Sequence, residues 1–594
     1  MERVADYIIR KVNEAGAAHI FLITGRGILY LTDAVAKNRN ITPVSTYHEQ
    51  GASYAAMAYA SVHEGVSACL VSTGCAAANA VTACLCAYQD NLPVVFISGN
   101  NHLNENTRHT GIGIRTYGSQ ETDIISIVQP VTKYAVMLED PQKTIYEVEK
   151  ALYLAMDGRR GPVWIDVPLD VQNMRIEEAG LAHFEIPEKE GPDLAALQEI
   201  ADELNRAERP VILIGGGAGE AAEPLKALIE ASLIPAVSSP AGADIYGTDH
   251  ALSIGAVGSL GGSRAGNFAV QNSDYVLAVG SKMCSQLTGV RTNFARNARV
   301  VAVDIDEREH MKEGVVDKVL ISDAKAFLER LAALGIQKHD SAWADTCMHW
   351  KERFSVKNEA FVKELEAADQ IDLYSMLDEL SPLLPGSATV ITDAGLEELT
   401  VPSVIRYREG QKCLFPASQG AMGYAVPAII GAYCAGRKNI VCIVGDGSVM
   451  MNIQELQMIS SLQIPARIFV INNNMYAVIR KRQKDLFRKR TIGNDPSDGM
   501  PAPDFEKIAL CFDLGYRKIR SRKELLTLLP EIMREPEDGP EIIEVMCTPD
   551  QKYLHESYAI NERKKLVHRP IEDMSPFLPR ETMREEMIVD MMEE

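Results

Sequence analysis

Short apolar runs rich in β-branched residues alternate with helix-length segments along most of the chain. Residues 68–72 (Ala-Cys-Leu-Val-Ser) and 93–98 (Pro-Val-Val-Phe-Ile-Ser) are two such runs in a first block that ends near residue 173. Strand-length runs separated by helices predict strand–helix–strand units and therefore parallel sheets. The same alternation fills a second block, residues 194–334, and a third block that begins near residue 373.

Two polar stretches, residues 175–193 and 337–372, divide these blocks. The first contains Pro187 and Pro192 and is typical of a linker, whereas the second is polar and helix-forming. We therefore predict an α/β protein with three doubly wound parallel-sheet domains, at residues 1–174, 192–336 and 372–550. The tail, residues 551–594, has an irregular pattern and ends in an acidic, Met-rich segment.

An internal repeat relates the first and third domains. Residues 69–101 and 442–474 each read as a strand, a glycine turn, a helix, a turn with proline and a second strand, and each closes on an Asn-Asn pair. Hydrophobic similarity alone is common among strand–helix–strand units, but matching turn and end residues favour two related domains. A length of 594 residues would otherwise suggest about four domains.

Composition narrows the partners and the compartment. The chain carries 81 acidic against 60 basic residues, and the net charge of −21 repels phosphate backbones and anionic lipid. We therefore predict no nucleic-acid partner and no membrane partner. The N-terminus lacks the order of a signal peptide, and the 11 cysteines have neither metal nor redox spacing. We predict reduced thiols in a cytoplasmic protein.

The third domain contains a group of residues suited to a metal-bound diphosphate. Gly445-Asp446-Gly447 follows a buried strand, and Asn473 follows the next strand, 27 residues after Asp446. Both side chains therefore fall at the carboxyl edge of adjacent parallel strands, where such sheets bind ligands. Carboxylate and amide oxygens suit Mg²⁺, Gly447 permits close approach of phosphates, and the helix that starts at Ser448 offers free N–H groups.

A Gly-Asp-Gly alone also marks ordinary turns, but with this spacing the sequence resembles the thiamin-diphosphate enzymes, specifically the acetolactate synthase-like family. The resemblance covers nearly the whole chain. It implies a pyrimidine-binding first domain, a central Rossmann-like domain and a diphosphate-binding third domain. It also implies Mg²⁺ held by Asp446, Asn473 and the backbone carbonyl of Met475, and thiamin diphosphate bound beside Gly395 and Gly445.

Two further segments resemble parts of the family's active site. In residues 419–427, Gly420 would accept a hydrogen bond from the cofactor's 4′-amino group, and Met422 would wedge the cofactor into a bent shape. The alternative for this segment alone is a helix start with a core methionine. In residues 47–58, Glu49 matches the family's catalytic glutamate, although a lone carboxylate at a helix start is also explained by the helix dipole.

The resemblance implies the chemistry as well. Glu49 would bond to the pyrimidine nitrogen N1′ in an apolar, partly desolvated pocket and promote loss of the thiazolium proton. The cofactor would then attack a 2-keto acid and take up the electrons released with CO₂. Simple decarboxylases of the family carry a His-His pair where residues 99–102 read Gly-Asn-Asn-His. We therefore favour carboligation, with Gln120 facing the substrate and Ser119, in place of an aromatic residue, widening the pocket.

Three departures from the family pattern point away from branched-chain amino-acid synthesis. Arg482 stands in place of a substrate-selecting Trp, and Leu169 in place of a Lys. Leu396 and Glu397 stand in place of a diphosphate-binding Gln-His pair, so only the backbone contacts of Gly395 are expected there.

Seven basic residues lie between positions 480 and 490 of this acidic chain. Such a run is usually a solvated helix face. Its position just after the metal site favours a different function: an anion-binding rim of the active site, formed by Arg480 and Arg482. This rim would bind a phosphorylated or nucleotide-linked acceptor. Residues 569–580 resemble a subgroup from surface-polysaccharide and natural-product pathways, some of whose members add a two-carbon branch from pyruvate to a nucleotide-linked keto sugar.

We therefore predict a thiamin-diphosphate- and Mg²⁺-dependent decarboxylating carboligase. It would transfer a two-carbon acyl unit from a 2-keto acid such as pyruvate to a carbonyl acceptor, with a nucleotide-linked keto sugar preferred. Acetolactate synthase proper, a C–C hydrolase of a cyclic diketone and a cofactor-binding regulator are the alternatives. The resemblance implies a homodimer or homotetramer with active sites at the subunit interface.

FAD is left open, and its absence is favoured. Residues 280–289 and 303–306 resemble the family's FAD-contacting segments, whereas residues 211–220 read as a strand and a Gly-rich loop that a tight turn explains. However, residues 282–286 (Lys-Met-Cys-Ser-Gln) replace the usual Arg-Phe-Asp-Asp-Arg, and Glu220 stands where the third glycine of a dinucleotide loop belongs.

Overall fold

Three six-stranded sheets, each with all its strands parallel, organise the chain. The structure is a computed structural model that describes residues 1–188, 193–290, 293–312, 314–535, 538–549, 551–554, 558–560 and 566–592. Each sheet lies within one of the three predicted domain ranges.

The first sheet contains, in spatial order, Thr42–Ser45, His19–Leu22, Ser67–Val71, Val94–Asn100, Val163–Pro168 and Tyr134–Met137. Its α-helices are Val4–Glu14, Leu29–Lys37, Glu49–Val62, Cys75–Asn79, Val81–Gln89, Thr107–Thr110, Ile124–Val128, Thr144–Met156 and Leu169–Asn173. Alternate residues of one strand face two separate cores, since Ile20 and Leu22 pack in one cluster and Phe21 in the other. Helices therefore cover both faces, as the doubly wound pattern requires.

The third sheet contains, in spatial order, Lys412–Leu414, Thr389–Ile391, Ile440–Gly445, Ala466–Asn472, Glu541–Met546 and Gly515–Ile519. Its α-helices are Leu373–Leu380, Leu396–Val404, Ala425–Cys434, Asp446–Val449, Leu456–Ser461, Ala477–Leu486, Phe505–Cys511 and Arg522–Arg534. Numbered along the chain, the strands of the first and third sheets follow one spatial order, 2-1-3-4-6-5. The shared order agrees with the internal repeat.

The central sheet contains, in spatial order, Ser253–Ala256, Ala236–Ser238, Pro210–Ile214, Tyr275–Val279, Arg299–Asp304 and Lys318–Ile321. Its α-helices are Leu194–Arg206, Ala222–Ser232, Arg264–Gln271, Ser285–Thr288 and Ala324–Ala333, and Ser341–Arg353 and Ala360–Ala367 lead to the third domain. The spatial order 3-2-1-4-5-6 is that of the dinucleotide-binding fold. The predicted α/β class with three doubly wound parallel sheets is thus confirmed.

The tail docks on the central domain through buried polar side chains. Tyr558–Ile560 pairs with Leu566–His568 in an antiparallel hairpin, and a helix follows at Arg580–Glu586. Arg264, whose side chain is 1% exposed, donates to the carbonyls of Met574 (3.0 Å) and Pro576 and to Glu359 (2.7 Å). Because a buried guanidinium without partners is costly, these bonds fix the tail's position.

The first and third domains share one hydrophobic core. It contains buried residues of the helices Glu49–Val62 and Ala425–Cys434, which cross at small side chains. At this crossing, a Cβ on Gly431 would lie 2.0 Å from the carbonyl oxygen of Ala55, and the rings of Tyr54 and Tyr424 meet edge to face at 5.6 Å. The pair of helices therefore sets how the two domains pack.

The helices of the described residues are too short or too polar to cross a membrane. Besides the tail hairpin, the described residues contain an antiparallel pairing of Glu2–Arg3 with Arg175–Ile176.

Replacing Gly431 by alanine is expected to destabilise the protein. The new Cβ has no space beside the Ala55 carbonyl, so the two helices must separate. Overpacking of this kind costs ~1–3 kcal/mol, which chemical denaturation would detect. Gly386→Ala is the matched control, because nothing lies within 4 Å of its added Cβ. Equal losses in the two variants would contradict the packing argument.

Candidate active site

Two neighbouring strands of the third sheet end side by side. Ile440–Gly445 and Ala466–Asn472 pair in parallel, with Gly445 opposite Ile471. Asp446 and Asn473 follow these strands directly, so both lie at the carboxyl edge of the sheet. This is the arrangement that the sequence spacing predicts.

The oxygens at this edge have the chemistry that Mg²⁺ prefers. Asp446 is 4% exposed, and its Oδ2 accepts the N–H of Asn474 at 2.7 Å. Burial raises the pKa of Asp446 to about 6, and a bound cation would offset the cost of keeping this carboxylate charged. Asn473 supplies an amide oxygen, which accepts the N–H of Met475 at 3.2 Å. The donor set of carboxylate, amide and carbonyl oxygens fits Mg²⁺.

A buried carboxylate behind this edge holds the loop in place. Glu544 is 3% exposed and accepts the side-chain N–H of Asn472 at 2.6 Å, together with the hydroxyl of Tyr516. Asn472 in turn accepts the N–H of Asn474 at 2.9 Å. The sequence analysis missed Glu544, because its only signal is a charged residue inside an apolar strand.

A cavity of about 820 Å³ lies above the strand edge. All nine predicted cofactor residues line it: Gly395, Gly420, Met422, Gly445, Asp446, Gly447, Ser448, Asn473 and Met475. Ser259 and Gln286 of the central domain and His568 of the tail are among the other residues that line it. The structure therefore brings together segments that are up to 80 residues apart within the third domain.

Two glycines of the cavity cannot be replaced without a clash. A Cβ on Gly447 would lie 2.0 Å from the ring of Tyr476. Gly420 has a φ of +53°, and its Cβ would lie 2.1 Å from the carboxylate of Glu398. Both positions therefore favour a residue without a side chain, and at Gly447 the reason in the structure is the Tyr476 ring rather than the predicted approach of phosphates.

Ser448 serves the architecture of the cavity through its hydroxyl. The hydroxyl donates to Asp393 Oδ2 at 2.6 Å and accepts the N–H of Gly423 at 2.9 Å. Burial raises the pKa of Asp393 to about 6. These bonds tie the turn before the helix Ala425–Cys434 to the Gly445–Ser448 segment.

Two buried glutamates stand at the wall of the cavity. Burial, reinforced by the charge of Asp393, raises the pKa of Glu397 and of Glu398 to about 8. Both carboxyls are therefore mostly protonated at neutral pH and can donate hydrogen bonds. The sequence analysis identified Glu397 only as a departure from the family and missed Glu398, since two acidic residues at a helix start are common.

The predicted first-domain residues lie outside this cavity in their own chain. Glu49 begins the helix Glu49–Val62, is half-buried and accepts a hydrogen bond from the side chain of Asn79 at 2.9 Å. Gln120, with a φ of +65°, and Ser119 lie on an exposed loop. Among the described lining residues, none comes from the first domain. Asn79 carried no sequence signal.

The basic run forms the helix Ala477–Leu486 and the residues after it. Arg480 pairs with Asp495 at 2.7 Å, and Lys481 pairs with Asp485 at 2.9 Å. Arg480 lines a second cavity next to the first, whereas Arg482 is absent from the described lining of both. Part of the run thus has the ion pairs of an ordinary helix surface.

The segments considered for FAD binding contact other parts of the same chain. A Cβ on Gly215 would lie 2.1 Å from the carbonyl oxygen of Gly280, so two strand ends pack directly on each other. Asp304 pairs with Arg159 at 2.9 Å and with His310 at 3.0 Å. Gly215 and Asp304 thus have structural partners within the chain.

Family models match all three domains of this three-sheet protein. They describe thiamine pyrophosphate enzymes: the N-terminal TPP binding domain at residues 2–127, the central domain at 197–331 and the C-terminal TPP binding domain at 393–545. The fold and these matches thus define the class of the protein, an α/β thiamine pyrophosphate enzyme.

Curated relatives give the family. The acetolactate synthase large subunit of Lactococcus lactis subsp. lactis (strain IL1403) is 30% identical over 560 residues, 93% of each chain. That of Parasynechococcus marenigrum (strain WH8102) is 31% identical over 89% of this chain and 85% of its own. Acetolactate synthase 1, chloroplastic, of Oryza sativa subsp. japonica is 27% identical over 93% of this chain and 85% of its own. The chain belongs to the thiamin-diphosphate-dependent, acetolactate synthase-like enzymes.

The stability of the cofactor-free protein is expected to fall as the pH rises from about 4.5 to about 8, the unfolded and folded pKa values of Glu397. Over that window the folded state keeps this proton, whereas the unfolded state releases it. Each rise in pH therefore favours the unfolded state, and the free energy of unfolding falls. Glu397→Gln should flatten the fall and raise the melting temperature above that of the wild type at pH 8.

The exposed Glu329 provides the control, since Glu329→Gln should melt like the wild type at every pH. A variant Glu397→Gln whose melting temperature follows the wild-type pH profile would show that this carboxyl does not titrate as described.

Proposed function

We propose that the protein is a Mg²⁺-dependent decarboxylating carboligase that transfers a two-carbon acyl unit from a 2-keto acid, pyruvate in the first instance, to a carbonyl acceptor. One observation carries the proposal: all nine residues expected to hold the cofactor line a single cavity above the strand edge of Asp446 and Asn473.

Each part of the cavity has a role in this proposal. Asp446, Asn473 and the carbonyl of Met475 hold Mg²⁺, and the glycines at 395 and 445 leave room for the diphosphate. Gly420 and Met422 orient the aminopyrimidine. When bound, thiamin diphosphate supplies the carbon nucleophile and accepts the electron pair released with CO₂.

Glu49 and Gln120 enter the cavity from a second copy of the chain. Since neither residue lines the cavity of its own chain, a homodimer or homotetramer would complete the site. Glu49 of one subunit would then be placed to hold or release a proton beside the pyrimidine bound by the other, and the Asn79 hydrogen bond orients its carboxylate.

The single histidine in residues 99–102 of the first domain favours carboligation over aldehyde release. His102 stands alone there and lies 3.9 Å from Asp170, with nearly half of its side chain exposed. Without a second histidine, no pair is available to protonate the two-carbon unit. The acceptor can therefore take it, and the exposed Ser119 leaves space for a large molecule.

An anionic acceptor, such as a phosphorylated or nucleotide-linked keto sugar, is favoured by the basic helix beside the cavity. Acetolactate synthase proper, in which a second 2-keto acid is the acceptor, is the rival function, because the curated relatives carry that name. FAD has no part in the proposal.

Labelled pyruvate supplied with a panel of acceptors tests the function. The holoprotein is expected to release CO₂ and to give a product heavier than the acceptor by C₂H₄O, an acetyl group on the carbonyl carbon and a proton on its oxygen. A product formed from pyruvate alone would indicate acetolactate synthase. Ring opening of a cyclic diketone without CO₂ would replace the proposal by a hydrolase, and no CO₂ from any 2-keto acid would refute it.

Glu49→Gln tests the role of the first domain. The variant is expected to bind thiamin diphosphate with nearly wild-type affinity in a fluorescence titration, yet to lose at least a hundredfold in turnover, the range of general acid–base contributions. Glu64→Gln, on the loop after the same helix, is the control and should keep its activity. Full turnover of Glu49→Gln would remove Glu49 from the mechanism.

A further inference from the structure

A second cavity, of about 490 Å³, adjoins the cofactor cavity. Met475, Ala477 and Gln551 line both cavities, so the two spaces meet at these residues. Met475 is also the proposed carbonyl ligand of Mg²⁺. A molecule that extends from the reacting carbon toward Gln551 would therefore enter the second cavity.

Three different parts of the fold build its wall. The helix Ala477–Leu486 contributes Arg480, Lys481 and Lys484, and the helix Ala360–Ala367 contributes Phe361 and Glu364. The tail contributes Ser575 and Pro576, which the buried Arg264 holds in place through the carbonyls of Met574 and Pro576. The wall therefore depends on the packing of two helices and the tail against each other.

Most charges of this wall already have a partner. Arg480 pairs with Asp495, Lys481 with Asp485, and Lys552 approaches Glu364 at 3.9 Å. Glu359, the remaining carboxylate, pairs with Arg264.

Lys484 is the exception. It is half-buried, lines the cavity, and has no carboxylate partner within the part of the chain that the structure describes. An ammonium that lines a cavity without a paired carboxylate attracts an anion, because its charge is left uncompensated. The neighbouring cations Arg480, Lys481 and Lys552 are offset by their carboxylate partners. Lys484 therefore carries the uncompensated positive charge of the wall.

The aromatic rings of the wall are covered by lysines. The ammonium of Lys481 lies 5.2 Å from the ring centre of Tyr553, and that of Lys552 lies 5.7 Å from the ring centre of Phe361. These rings therefore hold cations in position and do not offer free faces on which a nucleobase could stack. The cavity presents charge rather than a stacking surface.

We propose that the second cavity binds the phosphate groups of the acceptor, with Lys484 as the main cation and with recognition that does not depend on a nucleobase. The proposal rests on the carboligase function, and it adds the site and the chemical class: a phosphate ester whose carbonyl reaches the cofactor cavity past Gln551.

Calorimetric titration of the holoprotein tests the site. Saturating thiamin diphosphate and excess Mg²⁺ occupy the diphosphate position of the first cavity, so that the probes UDP and ADP do not compete for it. The two nucleotides are expected to bind within about threefold of each other, and uridine is expected not to bind. Lys484→Met should weaken UDP binding by about tenfold, the size of one charged hydrogen bond.

Lys489→Met is the matched control, since Lys489 belongs to the same basic run, is exposed and lies outside the described lining of both cavities. It should bind UDP like the wild type. Absence of UDP binding, equal binding of uridine, or wild-type affinity in Lys484→Met would overturn the proposal.

Pyruvate decarboxylation by the same holoprotein separates the two claims. UDP binding that depends on Lys484, without CO₂ from any 2-keto acid, would support the phosphate site and refute the carboligase function. CO₂ release without UDP binding would do the reverse.

Discussion

The in-register parallel pairing of Ile440–Gly445 with Ala466–Asn472 is the constraint on which the candidate site depends. Because the two strands end together, Asp446 and Asn473 reach the same edge, and a shift by one residue would turn one side chain away. Two buried carboxylates stabilise this edge through hydrogen bonds: Glu544 accepts from the side chain of Asn472, and Asp393 accepts from the hydroxyl of Ser448. Mg²⁺ and diphosphate binding would therefore be a property of the sheet rather than of a mobile loop.

Burial of negative charge accompanies this arrangement. Asp393, Asp446, Glu397 and Glu398 all have raised pKa values, in each case chiefly because they are buried. Asp393 is held by hydrogen bonds, whereas Asp446 would be compensated by a cation. The two glutamates can remain protonated and donate to an anion. A cavity with this many carboxylates can thus still accept a diphosphate, although the Gln-His pair of the family is replaced.

Local sequence signals were enough for the sheets and for the common strand edge of Asp446 and Asn473. Apolar runs of strand length predicted the parallel sheets, and the spacing of Asp446 and Asn473 predicted their common edge. Glu544 and Asn79 were missed because their partners are distant in sequence: Glu544 accepts from Asn472, 72 residues away, and Asn79 donates to Glu49, 30 residues away. Glu398 was missed because two acidic residues at a helix start are common and only burial sets this one apart. The basic run predicted only part of the anion-binding surface. Sequence periodicity does not reveal that Arg480 pairs with Asp495, or that Lys484 lines a cavity.

The central claim is that one active site combines Glu49 of one chain with the Asp446 edge of another. Its most direct test is the activity of a heterodimer, purified through two tags, that contains one Glu49→Gln chain and one Asp446→Asn chain. Each homodimer should be inactive, whereas the heterodimer should have one intact site and roughly half of the wild-type activity, as a two-fold interface requires. An inactive heterodimer would contradict the account, because it would mean that both groups act within the same chain.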